Sequence, residues 1–523
     1  MALLTHQFAA DRPDDVALAD DHGSVTFAGF DERVNRIVHA LRDAGLGGGG
    51  TIGIVCGNRN EWFELAMACA HAGVTYVPIN WHLVGPEIAY ILADSGATAV
   101  VTEGRFADAV TTALTDERVA DQVSLRLAVG GEVDGFTPFD DFVATGSPDE
   151  PEGQLFGGPM FYTSGTTGNP KGVKSSLTAM PDGTGPEIWQ LVGAGFADMV
   201  KAPGTTVLCG PVYHSAQWAF SFLPMIVGSA TVMQHKYDSA AVLDLIDRHQ
   251  ATNMHLVPTQ MKRLLDLPDD AKAGFDGSSL QLVIHGAAPC PTAVKQGLIE
   301  WWGPKITEYY GSTEGSIISL IDSEQWLAKG GSVGPPLPHM EVTIVDDDGN
   351  VCPPNVPGTV WFRNAMGTDF EYHNAPDKTA DSHSGHGATT GDVGYLDDDG
   401  YLWLSDRKID MIISGGVNIY PAEIESVIGG DRAVADVAVI GVPNDEFGEE
   451  VKAMVVLDPD APDRPTDDDA ARAHLDQLCR TQLAGYKVPR SYEFLDELPR
   501  TGTGKVKKAI LRAPFWDDAD RTV

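Results

Sequence analysis

The sequence predicts an α/β protein: a large N-terminal domain with two parallel-sheet subdomains and a small β-rich subdomain, then a small α+β C-terminal domain. Two observations support the parallel sheets. Short apolar runs alternate with amphipathic helical patterns in the first third of the chain, and the alternation resumes after residue 200. Strand and helix in alternation indicate parallel sheets that are covered on both faces. A third observation concerns the rest of the chain. The alternation of strand and helix gives way to short strands with many prolines and glycines near residue 331, and to an α+β pattern past residue 406.

The individual elements follow from periodicity. Apolar runs predict buried strands at 51–56, 75–78, 98–102, 206–209, 230–233 and 281–284. Apolar residues at helical spacing predict helices at 27–44, 61–72 and 240–249. In the β-rich region the stretches DDDGN and DDDGY predict Asp-Gly turns. The acidic run 459–469 predicts a solvated loop that leads into a helix capped near its end.

Composition excludes several classes of function. The chain carries 36 basic and 74 acidic residues, a formal net charge of −38, which repels nucleic acid and anionic membranes. Six dispersed cysteines without a C-x-x-C pair argue against a disulfide framework or a zinc site. The first residues lack the basic segment of a secretory signal, so we expect a cytoplasmic protein.

One apolar stretch approaches the length of a membrane span. Residues 216–233 carry no charge, but Pro224 and Gly228 interrupt them and several polar side chains lie among them. A buried helix followed by a strand explains this stretch better, and we expect no integral membrane association.

The stretch 162–172, YTSGTTGNPKG, has the composition of a phosphate-binding loop. Glycines let backbone N–H groups approach an anion, hydroxyls donate further hydrogen bonds, and Lys171 adds positive charge. The stretch is not a P-loop, because Pro170 stands where that pattern requires a glycine. Lys171 is also the first lysine in the chain. Composition alone equally fits a flexible surface turn.

Four further stretches carry candidate chemistry: YYGSTEG at 309–315, TGDVGY at 390–395, SDRKIDMIISGGVNIY at 405–420 and PRTGTGKVKK at 499–508. An aromatic ring can stack on a nucleobase, and Glu314 can hold Mg²⁺ through a carboxylate oxygen. Asp392 can accept hydrogen bonds from ribose hydroxyls, and Lys505 stands in a loop of Thr and Gly. The stretches 309–315 and 390–395, each taken by itself, also fit an ordinary turn.

Together, in this order and spacing, these stretches resemble the adenylate-forming superfamily over essentially the whole chain. That superfamily comprises acyl- and aryl-CoA synthetases, the adenylation domains of peptide synthetases, and beetle luciferases. The resemblance implies an N-terminal domain at 1–405 that binds AMP and the acyl group. It also implies a mobile C-terminal domain at 406–523 that pivots at a hinge, Asp406.

The resemblance also implies roles for individual residues. Lys505 bridges the substrate carboxylate and the α-phosphate during adenylation, Glu314 and Thr163 hold Mg²⁺, and His214 belongs to the acyl site. Residues of the phosphate loop that close over the β- and γ-phosphates are Thr163, Ser164, Gly165, Thr166, Thr167, Gly168 and Lys171. Residues at the adenosine and α-phosphate are Gly286, Ala287, Ala288, Tyr310, Gly311, Thr313, Asp392 and Arg407. The pair Gly415 and Gly416 comes to the pantetheine tunnel, and Lys487 is a weaker candidate for that face.

His214, in PVYHSAQW, distinguishes the branches of the superfamily. Relatives that activate amino acids carry an aspartate in this motif, which pairs with the substrate ammonium. A histidine here is similar to acyl- and aryl-CoA synthetases, so an amino acid substrate is not expected. Only 18 residues follow Lys505, so we expect no fused carrier domain and a free thiol, coenzyme A, as acceptor. His285 is a departure from the pattern, one that could narrow or polarise the acyl pocket.

The sequence therefore predicts an ATP- and Mg²⁺-dependent acyl-CoA synthetase of fatty, aryl or alicyclic acids. It would form an acyl-adenylate, release pyrophosphate, and transfer the acyl group to CoA with release of AMP. Three alternatives stay open: an enzyme that loads a carrier protein, a luciferase-like oxygenase, and a catalytically idle AMP-binding homologue. The resemblance also makes a homodimer an expectation, because many relatives are dimers.

Overall fold

The fold is that of a computed structural model. It describes residues 4–163, 169–175, 184–287, 290, 292–346, 348–407, 412–419, 421–431, 433–459, 461, 464–499, 506 and 508–516, without the side chains of residues 198, 259, 293, 405–407, 418, 422, 426 and 509.

The largest sheet in the described part of the chain has eight strands, two from residues 16–26 and six from residues 205–321. In spatial order the strands are Ser316–Ile321, Ile306–Ser312, Leu282–His285, Asn253–Leu256, Thr205–Leu208, Ala230–Met233, Val16–Asp20 and Gly23–Thr26. The six central strands run parallel, and the strand at each edge pairs antiparallel with its neighbour. This is the second of the two predicted parallel sheets.

A second sheet, with six strands among the described residues, is parallel throughout. Its spatial order is Thr137–Pro138, Leu125–Val129, Ala99–Glu103, Thr51–Val55, Thr75–Pro78 and Gly158–Pro159. Each strand expected from periodicity is present, within one residue of its predicted bounds. The prediction of two parallel-sheet subdomains is confirmed.

Helices pack against both sheets, and in long helices such as Phe27–Asp43 apolar side chains recur at helical spacing on the buried side. The helices of the N-terminal region are His6–Asp11, Phe27–Asp43, Asn60–Ala72, Gly85–Asp94, Ala107–Ala113, Phe139–Ala144, Glu187–Val200, Ser215–Ile226, Ser239–His249, Pro258–Leu265, Asp269–Ala273, Thr292–Trp302, Ser323–Ala328 and Pro376–Asp381, with a 3₁₀ turn at Gly104–Phe106. Thr26 caps the first long helix by accepting from the backbone N–H of Gly29. The three helices predicted from the sequence are confirmed.

Two antiparallel sheets follow in the middle of the chain. A small one comprises Glu371–Tyr372, Lys171–Lys174 and Phe161–Thr163. The other comprises His383–Ser384, Gly387–Ala388, Gly358–Asn364, Asp392–Leu396 and Leu402–Arg407, with Met340–Val345 beside Gly358–Asn364. Gly400, at φ 81°, closes the turn between Leu396 and Leu402, as the DDDGY stretch predicted. The small β-rich subdomain is confirmed.

The C-terminal region is an α+β unit with a sheet of its own. Its strands are Val417–Ile419, Ile412–Ser414, Gly448–Leu457, Val434–Asn444 and Ser491–Phe494. Its helices are Pro421–Gly429, Asp468–Gln482 and Lys508–Trp516, with a 3₁₀ turn at Gly485–Lys487. Asp467 caps the middle helix by accepting from the backbone N–H of Ala470, as predicted for the end of the acidic run.

The apolar stretch 216–233 forms the buried helix Ser215–Ile226 and the strand Ala230–Met233, which confirms the sequence prediction. Throughout the described residues, every helix is too short or too polar to traverse a lipid bilayer.

Candidate active site

The candidate phosphate loop is flanked by a β-hairpin. Lys171 lies directly opposite Thr163 in the antiparallel pair Phe161–Thr163 and Lys171–Lys174. The predicted loop residues Ser164, Gly165, Thr166, Thr167 and Gly168 lie outside the described residues. The Lys171 Nζ is 4.8 Å from the centre of the Tyr372 ring. Burial and the nearby Lys378 lower the pKa of Lys171, while Glu314 and Asp381 act in the opposite direction.

Glu314 is hydrogen-bonded to side chains of two segments that are distant from it in the sequence. It sits in the turn between the strands Ile306–Ser312 and Ser316–Ile321. Its Oε1 accepts a hydrogen bond from Thr163 Oγ1 at 3.3 Å and another from the Tyr372 hydroxyl at 3.1 Å. The hairpin therefore places Thr163, Lys171 and the Glu314 carboxylate around one position.

This group suits a magnesium ion that is held mainly by substrate phosphates. Mg²⁺ in nucleotide enzymes is bound by one or two protein oxygens plus phosphate oxygens and water. The carboxylate of Glu314 and the hydroxyl of Thr163 supply that kind of donor set. Among the described residues, there is no group of three or more His, Cys, Asp or Glu side chains that could hold a metal ion with protein ligands alone.

Thr313 is connected to the helix that carries the acyl-site motif. Its Oγ1 lies 2.9 Å from Ser215 Oγ, at the first residue of the helix Ser215–Ile226. His214 is the N-cap residue of that helix. The structure thus brings the YYGSTEG and PVYHSAQW motifs together, although almost 100 residues separate them.

His214 immediately precedes the helix Ser215–Ile226 as its N-cap residue. Its side chain retains exposed surface, yet the surrounding protein lowers its pKa to about 4, first by burial and then through His82. A ring with this pKa is neutral at physiological pH. Trp218 and Phe220, on the helix that follows His214, are both buried, and the indole N–H of Trp218 donates to the Tyr76 hydroxyl at 2.8 Å.

Asp392 is joined to two other candidates by hydrogen bonds and by strand pairing. Its Oδ2 accepts from the Tyr310 hydroxyl at 2.8 Å and from Thr390 Oγ1 at 3.0 Å. Its backbone lies opposite Arg407 in the antiparallel pair, so the TGD and SDR motifs are cross-strand neighbours. The side chains of Asp406 and Arg407 lie outside the described residues.

The ring of Tyr310, the candidate for stacking on adenine, is largely buried in the core of the β-rich subdomain. It packs there with Val173, Ile318 and Phe362. Gly311 follows at a β-bulge, where an added Cβ would lie 2.0 Å from the Ser316 carbonyl oxygen. Only glycine fits at that close approach.

The candidate adenine segment, 285–289 (HGAAP), begins at the last residue of the strand Leu282–His285. A Cβ on Gly286 would lie 2.5 Å from the Tyr309 ring, and Ala287 adopts a left-handed φ of 68°. Ala288 lies outside the described residues. His285 is fully buried, and its Nε2 lies 3.7 Å from the Glu308 carboxylate, which pairs with Lys295 at 2.6 Å.

The C-terminal candidates occupy two places. Gly415 and Gly416, at φ 59° and 79°, form the turn between Ile412–Ser414 and Val417–Ile419. Lys487 is buried between the two regions, with its Nζ 2.7 Å from Glu87 and 2.6 Å from Glu423. Lys505 lies outside the described residues.

The sequence reasoning missed Tyr372, Ser215 and Glu87. Each makes its contact across a long sequence separation: Tyr372 with Glu314, Ser215 with Thr313, and Glu87 with Lys487. The sequence motifs carry no signal for these partners, because the contacts arise from how distant elements pack.

Comparisons with known proteins agree with this geometry. Residues 5–368 match the AMP-binding enzyme family, and residues 423–505 match the AMP-binding enzyme C-terminal domain. The chain is 34% identical to a feruloyl-CoA synthase from Amycolatopsis, over 95% of this chain and 96% of the relative. It is 31% identical to a fatty acid–[acyl-carrier-protein] ligase from Streptomyces coeruleorubidus, over 98% and 96%.

Solved structures of the o-succinylbenzoate CoA synthetase from Bacillus subtilis are similar in fold. A double mutant bound to a CoA product analogue superimposes with a TM-score of 0.81, at 28% identity and 99% coverage of both chains. The complex with the acyl-adenylate intermediate gives a TM-score of 0.65, at 27% identity, over 100% of this chain and 99% of the other. By the extent of the family match, this chain belongs to the AMP-binding enzyme family, in its acyl-CoA synthetase branch.

Proposed function

We propose that the protein is an ATP-dependent carboxylic acid–CoA ligase that works through an acyl-adenylate. The observation that carries this proposal is the convergence of Thr163, Lys171, Thr313 and Glu314 beside the helix that begins after His214. Phosphate-binding and acyl-binding motifs are adjacent there, as attack of a carboxylate on an α-phosphorus requires. Curated relatives that form CoA thioesters support the same reaction.

The first half-reaction must overcome repulsion between two anions, since a carboxylate attacks a phosphate. Positive charge near the developing transition state offsets that repulsion. Lys171 would balance the charge of the departing pyrophosphate, and Lys505 would bridge the carboxylate and the α-phosphate. Asp392 and Arg407 would hold the ribose, and Gly286, Ala287 and Tyr310 would enclose the adenine.

Glu314 and Thr163 are the residues we propose for binding Mg²⁺. When bound, the ion neutralises phosphate charge and stabilises the transition state. The contribution of the chain is to hold the Glu314 carboxylate in one orientation through the hydroxyls of Thr163 and Tyr372. We also propose a cytoplasmic location, which the six dispersed cysteines favour, and a homodimer, which follows from the sequence resemblance alone.

In the second half-reaction the CoA thiolate attacks the acyl carbonyl carbon, and AMP leaves with the bonding electrons. Lys505 would obstruct this step, so we propose that the C-terminal domain, 406–523, rotates about Asp406 and presents Gly415 and Gly416 instead. The higher TM-score against the CoA-product-analogue complex, 0.81 against 0.65, supports assigning the described arrangement to this second step. The buried ion pairs of Lys487 with Glu87 and Glu423 are formed in that arrangement.

The acyl site is proposed to take an acid without an ammonium group. A neutral His214 provides no ion pair for the α-amino group of an amino acid. The surrounding buried rings suit an aryl, alicyclic or fatty acyl group.

Exchange of labelled pyrophosphate into ATP with a panel of acids, followed by thioester analysis, tests the proposal. We expect acid-dependent exchange without CoA, and acyl-CoA when CoA is added. Adenylate formation without a CoA thioester would favour the alternative of carrier-protein loading. The similarity to a fatty acid–[acyl-carrier-protein] ligase is the reason to include that alternative. Absence of exchange with every acid would identify an idle homologue.

A further inference from the structure

His255 is a buried imidazole beside the acyl-site helix. It lies in the strand Asn253–Leu256 and is only 2% exposed. Its neighbours Met254 and Leu256 pack in the core on one face of the sheet, so His255 points to the opposite face. There its ring stacks on Phe220 of the helix Ser215–Ile226, with 5.1 Å between centroids and an interplanar angle of 9°.

One edge of the ring is fixed by Gln217. The amide Nε2 of Gln217 lies 2.8 Å from His255 Nδ1. An amide nitrogen can only donate, so Nδ1 accepts and the neutral ring carries its hydrogen on Nε2. Gly210 makes room for this contact, because a Cβ there would lie 2.2 Å from the same amide nitrogen.

The other edge of the ring has no hydrogen-bond partner among the described residues. Among the described residues, the Nε2 of His255 is fully covered and makes no hydrogen bond. The cluster on this face of the sheet is apolar or aromatic, and its buried members are Val200, Phe220, Leu282, Ile284 and Tyr309. A buried donor without an acceptor is unfavourable and uncommon in folded proteins, so a ligand is a natural source of the missing acceptor.

The position of His255 fits such a ligand. It lies near the carboxyl end of a central parallel strand, where ligands bind in sheets of this kind. Gln217 is three residues after His214, and the Tyr309 ring, 5.7 Å from the imidazole, immediately precedes the proposed adenine-stacking Tyr310. Phe196 and Met199 cover the same cluster and are only partly buried, so they can shift when an acyl group enters.

We propose that His255 is a specificity-determining residue whose Nε2–H donates a hydrogen bond to an oxygen in the acyl portion of the substrate. This proposal rests on the proposed function and narrows the range of acids that the enzyme would accept. The preferred acids are aryl or alicyclic acids with a hydroxyl, ether or ketone oxygen remote from the carboxylate. A hydrocarbon acid of the same shape leaves the donor unpaired and is a poorer substrate.

The test compares matched acids on the full-length enzyme. Aryl- and cyclohexyl-propanoates, each with and without one ring hydroxyl or ketone, are assayed for pyrophosphate exchange by the wild type, His255→Phe and His255→Gln. We expect at least one oxygenated acid to exceed its hydrocarbon partner in kcat/KM by about 10- to 100-fold, since sites with a buried polar group discriminate strongly against analogues that cannot pair with it. The His255→Phe variant should lose this ratio, and His255→Gln, which retains a donor, should recover part of it.

Phe220→Leu is the control, because it changes the cavity without removing the donor and should retain the ratio while total kcat/KM falls. A wild type that prefers every hydrocarbon acid, or a ratio unchanged in His255→Phe, would overturn the role of His255 but leave the ligase intact. If His255→Phe does not fold, the same comparison with Gln217→Leu tests the role of His255. The Gln217 amide fixes the tautomer of the ring, so its loss should also lower the ratio of kcat/KM between oxygenated and hydrocarbon acids. Absence of exchange with all acids in the wild type would overturn the ligase proposal and this inference together.

Discussion

At the scale of single residues, the carboxylate of Glu314 is the best-defined element of the proposed ATP site. Two hydroxyls, from Thr163 and Tyr372, donate to the same oxygen, Oε1. Such bonds orient the carboxylate, so that little reorganisation is needed when substrate binds. Mutation can separate the effect of the Glu314 charge from the effect of its orientation. A glutamine amide in its place retains an acceptor oxygen but carries no negative charge.

Glu314→Gln should therefore slow adenylation by about 100-fold or more and raise the Mg²⁺ concentration needed for half-maximal exchange, because the proposed metal ligand loses its charge. Tyr372→Phe, which removes one orienting hydroxyl, should have a smaller effect at an unchanged Mg²⁺ requirement. The measurement is pyrophosphate exchange at saturating ATP across a magnesium titration. A Glu314→Gln enzyme with the magnesium dependence of the wild type would remove Glu314 from the metal site.

Much of the residue-level description could be predicted from the sequence, and its limits are physical. Glu314, Asp392 and Lys171 were predicted because each stands in a short motif whose composition fits phosphate or ribose. Tyr372 was not predicted, because a tyrosine within an EYHN stretch has no local pattern that relates it to residue 314. His285 was considered for the acyl pocket, but strand alternation turns it to the face with Lys295 and Glu308.

At the scale of elements, the turn between the strands Ile306–Ser312 and Ser316–Ile321 positions both Thr313 and Glu314. The bulge at Gly311 brings its α-carbon against the Ser316 carbonyl, where a methyl group would be only 2.0 Å from the oxygen. Any side chain at 311 must push the two strands apart. Displacement by about 1 Å at a reacting centre can cost about 100-fold in rate.

Gly311→Ala should consequently reduce adenylation by about 100-fold, through misplacement of the Thr313 and Glu314 side chains. Gly195→Ala is a matched control, because its added Cβ meets no atom within 4 Å and a helix tolerates alanine. Both variants are compared by pyrophosphate exchange and by circular dichroism. Wild-type exchange rates in folded Gly311→Ala would show that this close approach does not position the site.

Periodicity predicted the buried strands and long helices of both parallel sheets, since each is dictated by local apolar spacing. It did not predict that Glu371–Tyr372 adds a third strand beside Lys171–Lys174, almost 200 residues away. Strands of two to four residues have too little pattern to be recognised, and their pairing depends on the rest of the fold. The sequence therefore predicted the composition of the candidate phosphate loop but not the three-stranded sheet that flanks it.

At the scale of the whole molecule, Lys487 forms buried ion pairs between the N-terminal and C-terminal regions. Its side chain is 5% exposed and pairs with Glu87 of the helix Gly85–Asp94 and with Glu423 of the helix Pro421–Gly429. Although burial opposes the charge, Tyr486 and the two carboxylates raise the pKa of Lys487. Asn80 adds a hydrogen bond to the Tyr486 hydroxyl at 3.0 Å.

Lys487→Ala should slow thioester formation by about 10-fold or more and affect adenylation less, because it leaves two carboxylates unpaired only in the arrangement assigned to the second step. The rates of both half-reactions are measured, with preformed acyl-AMP as the substrate for the second. Lys262→Ala, which breaks an exposed ion pair with Asp266, is the control and should change neither rate. Selective loss of adenylation in Lys487→Ala would assign the contact to the other step.

In the proposed mechanism, one chain performs two different steps, with Lys505 needed for the first and withdrawn for the second. The most direct measurement is the pair of half-reactions in Lys505→Ala: acid-dependent pyrophosphate exchange, and transfer from preformed acyl-AMP to CoA. We predict that exchange falls by about 1,000-fold, as expected when a charge-stabilising group is lost, while thioester formation stays near the wild-type rate. Equal loss of both half-reactions, or undiminished exchange, would contradict the account.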